Sequence, residues 1–214
     1  MKDDILIDVS RETIVLLQRL GLLVEKWNKS INLISKSTVP EIWSRHVLDS
    51  AQIFYASNKK FKKWLDLGSG AGFPGLVVAI LAQDKNFCGE ITLVESDKRK
   101  CVFLSTVKRE LNLNLSIINN RIESCNRQKA DVISARALAD LPRLLELSFN
   151  HLSNNTTLIF AKGKSWQEEL VAAEKTWNFS WEAVTSITDP KSVVLKIGEP
   201  VSYTHLTLPT ILLV

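Results

Sequence analysis

Residues 66–75 of this 214-residue chain read Asp-Leu-Gly-Ser-Gly-Ala-Gly-Phe-Pro-Gly, an acid and a glycine-rich turn set between two apolar runs. Gly68, Gly70, Gly72 and Gly75 clear side chains from a turn where backbone can approach a ligand closely. A second carboxylate, Glu95, ends the next apolar run, at the distance from the turn where an acid can accept both hydroxyls of a ribose. Together these residues describe a cradle for a nucleotide-type cofactor.

The pattern Gly70-x-Gly72-x-x-Gly75 by itself also fits a dinucleotide turn, and Glu95 serves either ligand. Two neighbours favour S-adenosylmethionine. Asp66 is placed to face a cofactor ammonium group or to order water beneath it. Pro74 removes an amide donor at the helix start, which a pyrophosphate uses and a methionine tail does not need. Phe73 completes the turn. Arg121-Ile122-Glu123 follows the third expected strand, where Ile122 can pack on an adenine ring while Glu123 or backbone reads its amino group; an ordinary loop is the plainer reading. After the fourth strand stands Ser134-Ala135-Arg136-Ala137, with no proline and no thiol. An arginine at a strand's carboxyl end points into the cleft, so Arg136 is the candidate catalytic side chain. It would clamp a methionine carboxylate or a substrate phosphate, a surface ion pair being the alternative. His46, between Arg45 and Asp49, reads as a helix-packing or substrate-contact residue ahead of a general base. Asn32, Arg45, His46, Lys162 and Lys164 are candidates for the substrate side, and Trp27 and Trp43 for the core.

The elements that must position these groups follow from periodicity. Ile14, Val15, Leu17, Leu20, Val24 and Trp27 recur at helical spacing behind an N-cap at Ser10. A second helix is predicted from a cap at Thr38, with Pro40 in its first turn and Ile42, Val47, Leu48 and Ile53 as its buried stripe. Strands are predicted near residues 63–67, 90–95, 115–119, 130–135 and 156–161, with helices at 74–83, 99–111, 140–152 and 166–177 between and after them. A terminal antiparallel pair at 181–187 and 192–197 brings the strand count to seven, whereas the dinucleotide version of this architecture has six. The expected fold is α/β, a seven-stranded, Rossmann-like class I methyltransferase sheet carrying an N-terminal helical extension. The expected division is an extension over residues 1–58 and a methyltransferase domain over 59–200.

Residues 201–214 stand apart. Val-Ser-Tyr-Thr-His-Leu-Thr-Leu-Pro-Thr reads as the in-frame translation of a sequencing-library adapter, so this stretch is expected to be a non-native tail and Tyr203 and His205 receive no functional weight.

Composition limits the class. A hydrophobic share of 45% and a charged share of 23% suit a globular α/β domain, and no apolar run is long enough to cross a bilayer. Three cysteines, Cys88, Cys101 and Cys125, lack metal-ligand spacing and read as reduced thiols, so no metal site and a cytoplasmic setting are expected. A net charge of +4 does not establish nucleic-acid binding, but basic clusters at 59–63, 98–100 and 108–109 would form a phosphate-binding rim if they flank one cleft.

With these residues laid out, the chain resembles the bacterial RsmG (GidB) family of 16S ribosomal RNA guanine-N7 methyltransferases. The resemblance rests on Lys26-Trp27-Asn28-Lys29 with Asn32-Leu33, Arg45-His46-x-Leu48-Asp49-Ser50, the turn from Asp66 to Gly75, Glu95-Ser96, Arg121-x-Glu123, Ser134-Ala135-Arg136-Ala137 and Lys162-Gly163. It implies cofactor contacts at Gly68, Phe73, Ile122, Glu123 and Arg136. It further implies S-adenosylmethionine as cofactor, 16S RNA or the small ribosomal subunit as partner, and a monomer away from membranes. Many relatives hold aspartate where Glu95 stands, and many carry a basic C-terminal tail where this sequence has the segment 201–214. Guanine N7 offers a free lone pair, so methyl transfer to it requires no proton removal and the site's task is positioning. Two other readings stay open on sequence: a methyltransferase with another acceptor, and an NAD-dependent oxidoreductase using the same glycines.

Overall fold

The computed structural model describes residues 8–57 and 60–203. Seven strands form one sheet in the order β3-β2-β1-β4-β5-β7-β6. They are β1 (Lys63–Leu67), β2 (Glu90–Glu95), β3 (Ser116–Asn119), β4 (Ala130–Arg136), β5 (Leu152–Lys162), β6 (Trp177–Thr185) and β7 (Val193–Ser202). The first five run parallel, and β7 inserts antiparallel between β5 and β6. The chain moves outward from β1 through β2 to β3, then returns to β1's other side with β4. That reversal opens a crevice at the carboxyl ends of β1 and β4, where ligands of such sheets bind. Register brings the site residues level: Asp66 lies beside Ser134 on β4 and Leu93 on β2, and Arg136 beside Ala161.

Helices α3 (Gly75–Asp84) and α4 (Lys98–Glu110) cover one face, and α5 (Leu141–Phe149) and α6 (Trp166–Glu174) the other. Leu76 through Ala82 are all buried, so α3 is apolar all round and needs cover on its outer side as well. The N-terminal helix α1 (Arg11–Asn28) supplies that cover through Leu17, Leu20 and Val24, which join α3 and α4 in one core. Its start is fixed as expected: Ser10 Oγ accepts from the Thr13 amide at 3.2 Å. Thr13 Oγ1 then donates to Asp84 Oδ1 at the end of α3, at 2.8 Å. Trp27 packs edge-on against Phe103, a core role.

The second helix departs from expectation. Residues Lys36–Glu41 form a 3₁₀ turn, Ile42–Leu48 a π-helical turn, and only Asp49–Ala56 (α2) is α-helical. Thr38 therefore sits inside the 3₁₀ turn rather than capping a regular helix. Pro40 brings no amide hydrogen and interrupts the ladder there. The buried stripe is as predicted, with Ile42, Val47, Leu48 and Ile53 all in the core. The terminal strands also run longer than their patterns indicated. β6 begins at Trp177, whose ring is buried against Phe149, and β7 continues through Val201 and Ser202, which pair with Asn178 and Trp177. Residues 204–214, most of the segment expected to be non-native, lie outside the described residues. No helix among the described residues is long and apolar enough to cross a membrane.

Candidate functional site

At the crevice the glycine turn takes a shape that side chains would obstruct. Gly68, Gly70 and Gly72 have φ of 62°, 54° and 85°. At Gly70 the left-handed backbone aims the amide at Glu95 Oε2, 2.8 Å away, and an added Cβ would meet only the Gly68 carbonyl oxygen, at 3.7 Å. The space over Gly70 is thus left for a ligand. Gly75 is small for the opposite reason: a Cβ there would come within 2.8 Å of Asp66 Oδ2 and 2.9 Å of Leu93, so α3 could not lie so close to the sheet. Glu95 takes a second amide bond through Oε1, from Asp97 at 2.7 Å, which holds the carboxylate across the mouth of the turn. Cys101 is buried on α4 and bonds the Glu95 carbonyl at 3.3 Å, a packing role.

A cavity of about 480 Å³ lies over this turn. Gly68, Gly70, Phe73, Glu95, Ile122, Glu123 and Arg136 all line it, so the structure gathers most residues expected around a cofactor. Its volume falls in the range of sites that enclose a small organic ligand. Ile122 contributes a buried apolar wall from a 3₁₀ turn, Ile122–Ser124, while the Glu123 carboxylate pairs with Arg143.

Asp66 is not among the residues that line this cavity. It is fully buried; alternation along β1 turns it beneath the floor, under Gly75. Its Oδ1 accepts from Ser134 Oγ at 2.6 Å. Burial pushes the carboxyl up to about 6, against hydrogen bonds from Ser134 and Ser69, the Gly75 amide and the charge of Arg136. Oδ2 has no partner in full hydrogen-bond geometry, so the Gly75 amide acts there as a nearby dipole.

Arg136 stands where a second cavity, of about 280 Å³, meets the first; it and Ala137 line both. Its guanidinium lies 5.4 Å over the Phe73 ring and donates to the Arg45 carbonyl at 2.6 Å and to His46 Nδ1. Burial lowers its pKa to about 10, with Asp49 and Asp66 opposing that shift, and the group stays charged. Arginine carries only donors, so His46 Nδ1 must be the bare nitrogen. The imidazole proton therefore sits on Nε2, which donates to Thr38 Oγ1 at 3.1 Å. Burial foremost, then Arg136 and Arg45, drives the His46 pKa down to about 3. The ring also stacks on Phe73 at 5.1 Å. A neutral imidazole with both nitrogens engaged is a support for Arg136, and it has no free nitrogen with which to abstract a proton.

Of the four residues expected on a substrate side, Arg45, His46 and Lys162 line the second cavity and Asn32 does not. Asn32 belongs to a separate hollow with Asp97 and Lys100, because the chain after α1 turns toward α4. Lys162 points its ammonium away: it donates to the Ala139 carbonyl at 2.9 Å and pairs with Glu169 at 2.5 Å, a buried bridge between β5 and α6. Sequence reasoning missed Ser134 as the partner of Asp66. It also missed the loop after β6, where Ser186 and Thr188 both donate to Asp49 Oδ1. That loop carried only the signature of a turn.

The family model of GidB, described as rRNA small subunit methyltransferase G, matches residues 13–195. The chain belongs to the GidB family. A relative named ribosomal RNA small subunit methyltransferase G from Cereibacter sphaeroides is 52% identical over 191 residues, 89% of this chain and 93% of that one. A relative of the same name from Paramagnetospirillum magneticum is 45% identical across 89% of this chain and 91% of its own. As a member of this family the protein is a methyltransferase. Among solved structures, an SAH-bound methyltransferase of Podospora anserina overlays with a TM-score of 0.61 at 10% identity, covering 88% of each chain. A SAM-dependent methyltransferase from Aquifex aeolicus overlays at 0.56 and 14% identity, over 74% of this chain and 92% of that one. The GidB chain thus has the seven-stranded fold expected of it.

Proposed function

We propose that this protein binds S-adenosylmethionine in the larger cavity and methylates N7 of a guanine in 16S ribosomal RNA, acting as a cytoplasmic monomer on that RNA or on the small subunit. The observation that carries the proposal is Arg136, shared between a glycine-floored cavity edged by Glu95 and a second cavity on its other side. The residues present fit the cofactor. Glu95 would take the ribose hydroxyls, Ile122 the face of the adenine and Gly68 and Gly70 the close backbone approach. When bound, the cofactor supplies an electrophilic methyl group on a cationic sulfur.

The protein's own contribution is positional. Phe73, stacked under His46, fixes the plane on which Arg136 rests. His46 and the Arg45 carbonyl hold the guanidinium at the boundary of the two cavities. His46, with both ring nitrogens engaged, is not free to act as a base at that boundary, which suits an acceptor nitrogen that already presents its lone pair. In this reading residues 1–58 are the helical extension that carries Arg45 and His46 to the site, and 59–200 are the methyltransferase unit. Purified protein with labelled S-adenosylmethionine should methylate small subunits or 16S RNA from cells lacking this gene, giving 7-methylguanosine by mass spectrometry. Arg136→Ala should reduce turnover by roughly 10²- to 10³-fold with the fold intact. Label found on any other atom would reassign the acceptor.

A further inference from the structure

The smaller cavity carries a carboxylate that has no part in the positioning of Arg136 by His46 and Phe73. Its wall holds one carboxylate, Asp49, beside the guanidinium groups of Arg45 and Arg136. That carboxylate is held by hydrogen bonds on one side and only by the charge of Arg136 on the other. Ser186 and Thr188 donate to Oδ1, whereas Oδ2 accepts no hydrogen bond among the described residues and lies 3.9 Å from Arg136. The side chain is 22% exposed, and Asp49 lines this cavity without lining the larger one. An acceptor oxygen held still by two hydroxyls and left open toward a cavity is suited to a ligand that brings donors.

We infer that this cavity receives the target base turned out of its helix, and that Asp49 Oδ2 reads the N1–H and 2-amino edge of guanine. The inference rests on the guanine-N7 reading above and names the subsite that would hold the acceptor. On a purine the N7 edge and the N1 edge face opposite ways. A base with N7 at the boundary formed by Arg136 and Ala137 thus turns its N1 edge toward a wall that only the smaller cavity has. Guanine offers two adjacent donors there. Adenine offers a bare N1, which would set acceptor against acceptor across the carboxylate. The contact also favours the reaction itself: as N7 takes the methyl group the purine becomes cationic and N1–H more acidic, so its hydrogen bond to Asp49 strengthens in the transition state. Asp49 is thus a recognition residue, while Arg136 orients the methyl-transfer geometry from the other side. Extrusion of a nucleotide into such a pocket is how enzymes reach base atoms that stacking hides.

The test uses small subunits reconstituted with guanine or hypoxanthine, which lacks the 2-amino group, at the methylated position. Methyl transfer by the wild-type protein and by Asp49→Asn is followed on each. Wild-type protein should prefer guanine by about 10- to 100-fold in kcat/KM, the range for a paired hydrogen-bond contact to a base. In Asp49→Asn the guanine rate should fall and that preference should shrink toward one, while S-adenosylmethionine binding by calorimetry changes less than about threefold. An equal preference in both proteins would overturn the inference. So would a wild-type protein that treats the two bases alike, a measurement that holds even if the variant does not fold. Wild-type protein that methylates neither substrate would instead overturn the acceptor reading from which this pocket follows.

Discussion

Asp66 and His46 are two buried titratable groups within reach of Arg136, and burial shifts each toward its neutral form. The folded pKa of Asp66, about 6, lies above its ordinary 3.8, so between these values the folded protein holds a proton that the unfolded chain has released. Its contribution to stability is full below pH 3.8 and is lost as pH rises through about 6. His46 has the opposite slope: its pKa falls from 6.5 to about 3, so stability is present above pH 6.5 and is lost as pH falls toward 3. Asp66→Asn keeps an acceptor for Ser134 and removes only the first of these. The variant should therefore gain on the wild type between pH 4 and 7 by a difference on the order of 3 kcal/mol, read by denaturant unfolding at the two pH values. A difference independent of pH would mean that Asp66 is not titrating in this way. The glycines and Glu95 were legible in the sequence because backbone conformation and strand-end position dictate their residue types. The place of Asp66 was legible only in part. The apolar run hides which face each residue takes, and neighbouring Leu65 and Leu67, not Asp66, line the α5 and α6 side of the sheet.

The irregular segment from Lys36 to Ala56 shows how an element can be read correctly in its buried stripe and misread in its pitch. Apolar spacing identified what it buries, but a π turn and an α turn share nearly the same stripe over so few residues. The consequence lies in its polar face, where Arg45, Asp49 and Gln52 all meet the loop between β6 and β7. Gln52 receives the Ile187 amide on Oε1 at 3.1 Å and donates to the Thr185 carbonyl at 2.8 Å. Arg45 sits 3.9 Å from Asp189. These are contacts across more than a hundred residues of chain, and nothing local in the sequence announces them. Gln52→Ala should leave two backbone groups unsatisfied and destabilise the protein by about 1–3 kcal/mol. Hydrogen exchange at the Ile187 amide should quicken more than exchange in β1, and uniform quickening would show that the clamp is not local.

For the whole molecule, the division into an extension and a methyltransferase unit does not correspond to two cores. Leu17, Leu20 and Val24 of α1 pack in the same apolar cluster as Val47 and Ile53, as Leu76 and Ile80 of α3 and as Phe103 of α4. Alternating strands and helices made the architecture readable, including the seven-strand count, because each element carries its own period. The layer of helix over helix was not readable, since periodicity shows that a stripe is buried and not what covers it. A shared core predicts a single cooperative unfolding transition with equal calorimetric and van't Hoff enthalpies, and two resolved transitions would mark the extension as an independent unit. The partition that Arg136 forms between two hollows has a thermodynamic corollary. If an occupant of one hollow shifts the guanidinium and so changes affinity in the other, reciprocity requires the second occupant to change the first by the same factor. Donor-loaded and donor-spent forms of the enzyme would then grip RNA with different strength, and release of the methylated product would be tied to the fate of its co-product through a single side chain.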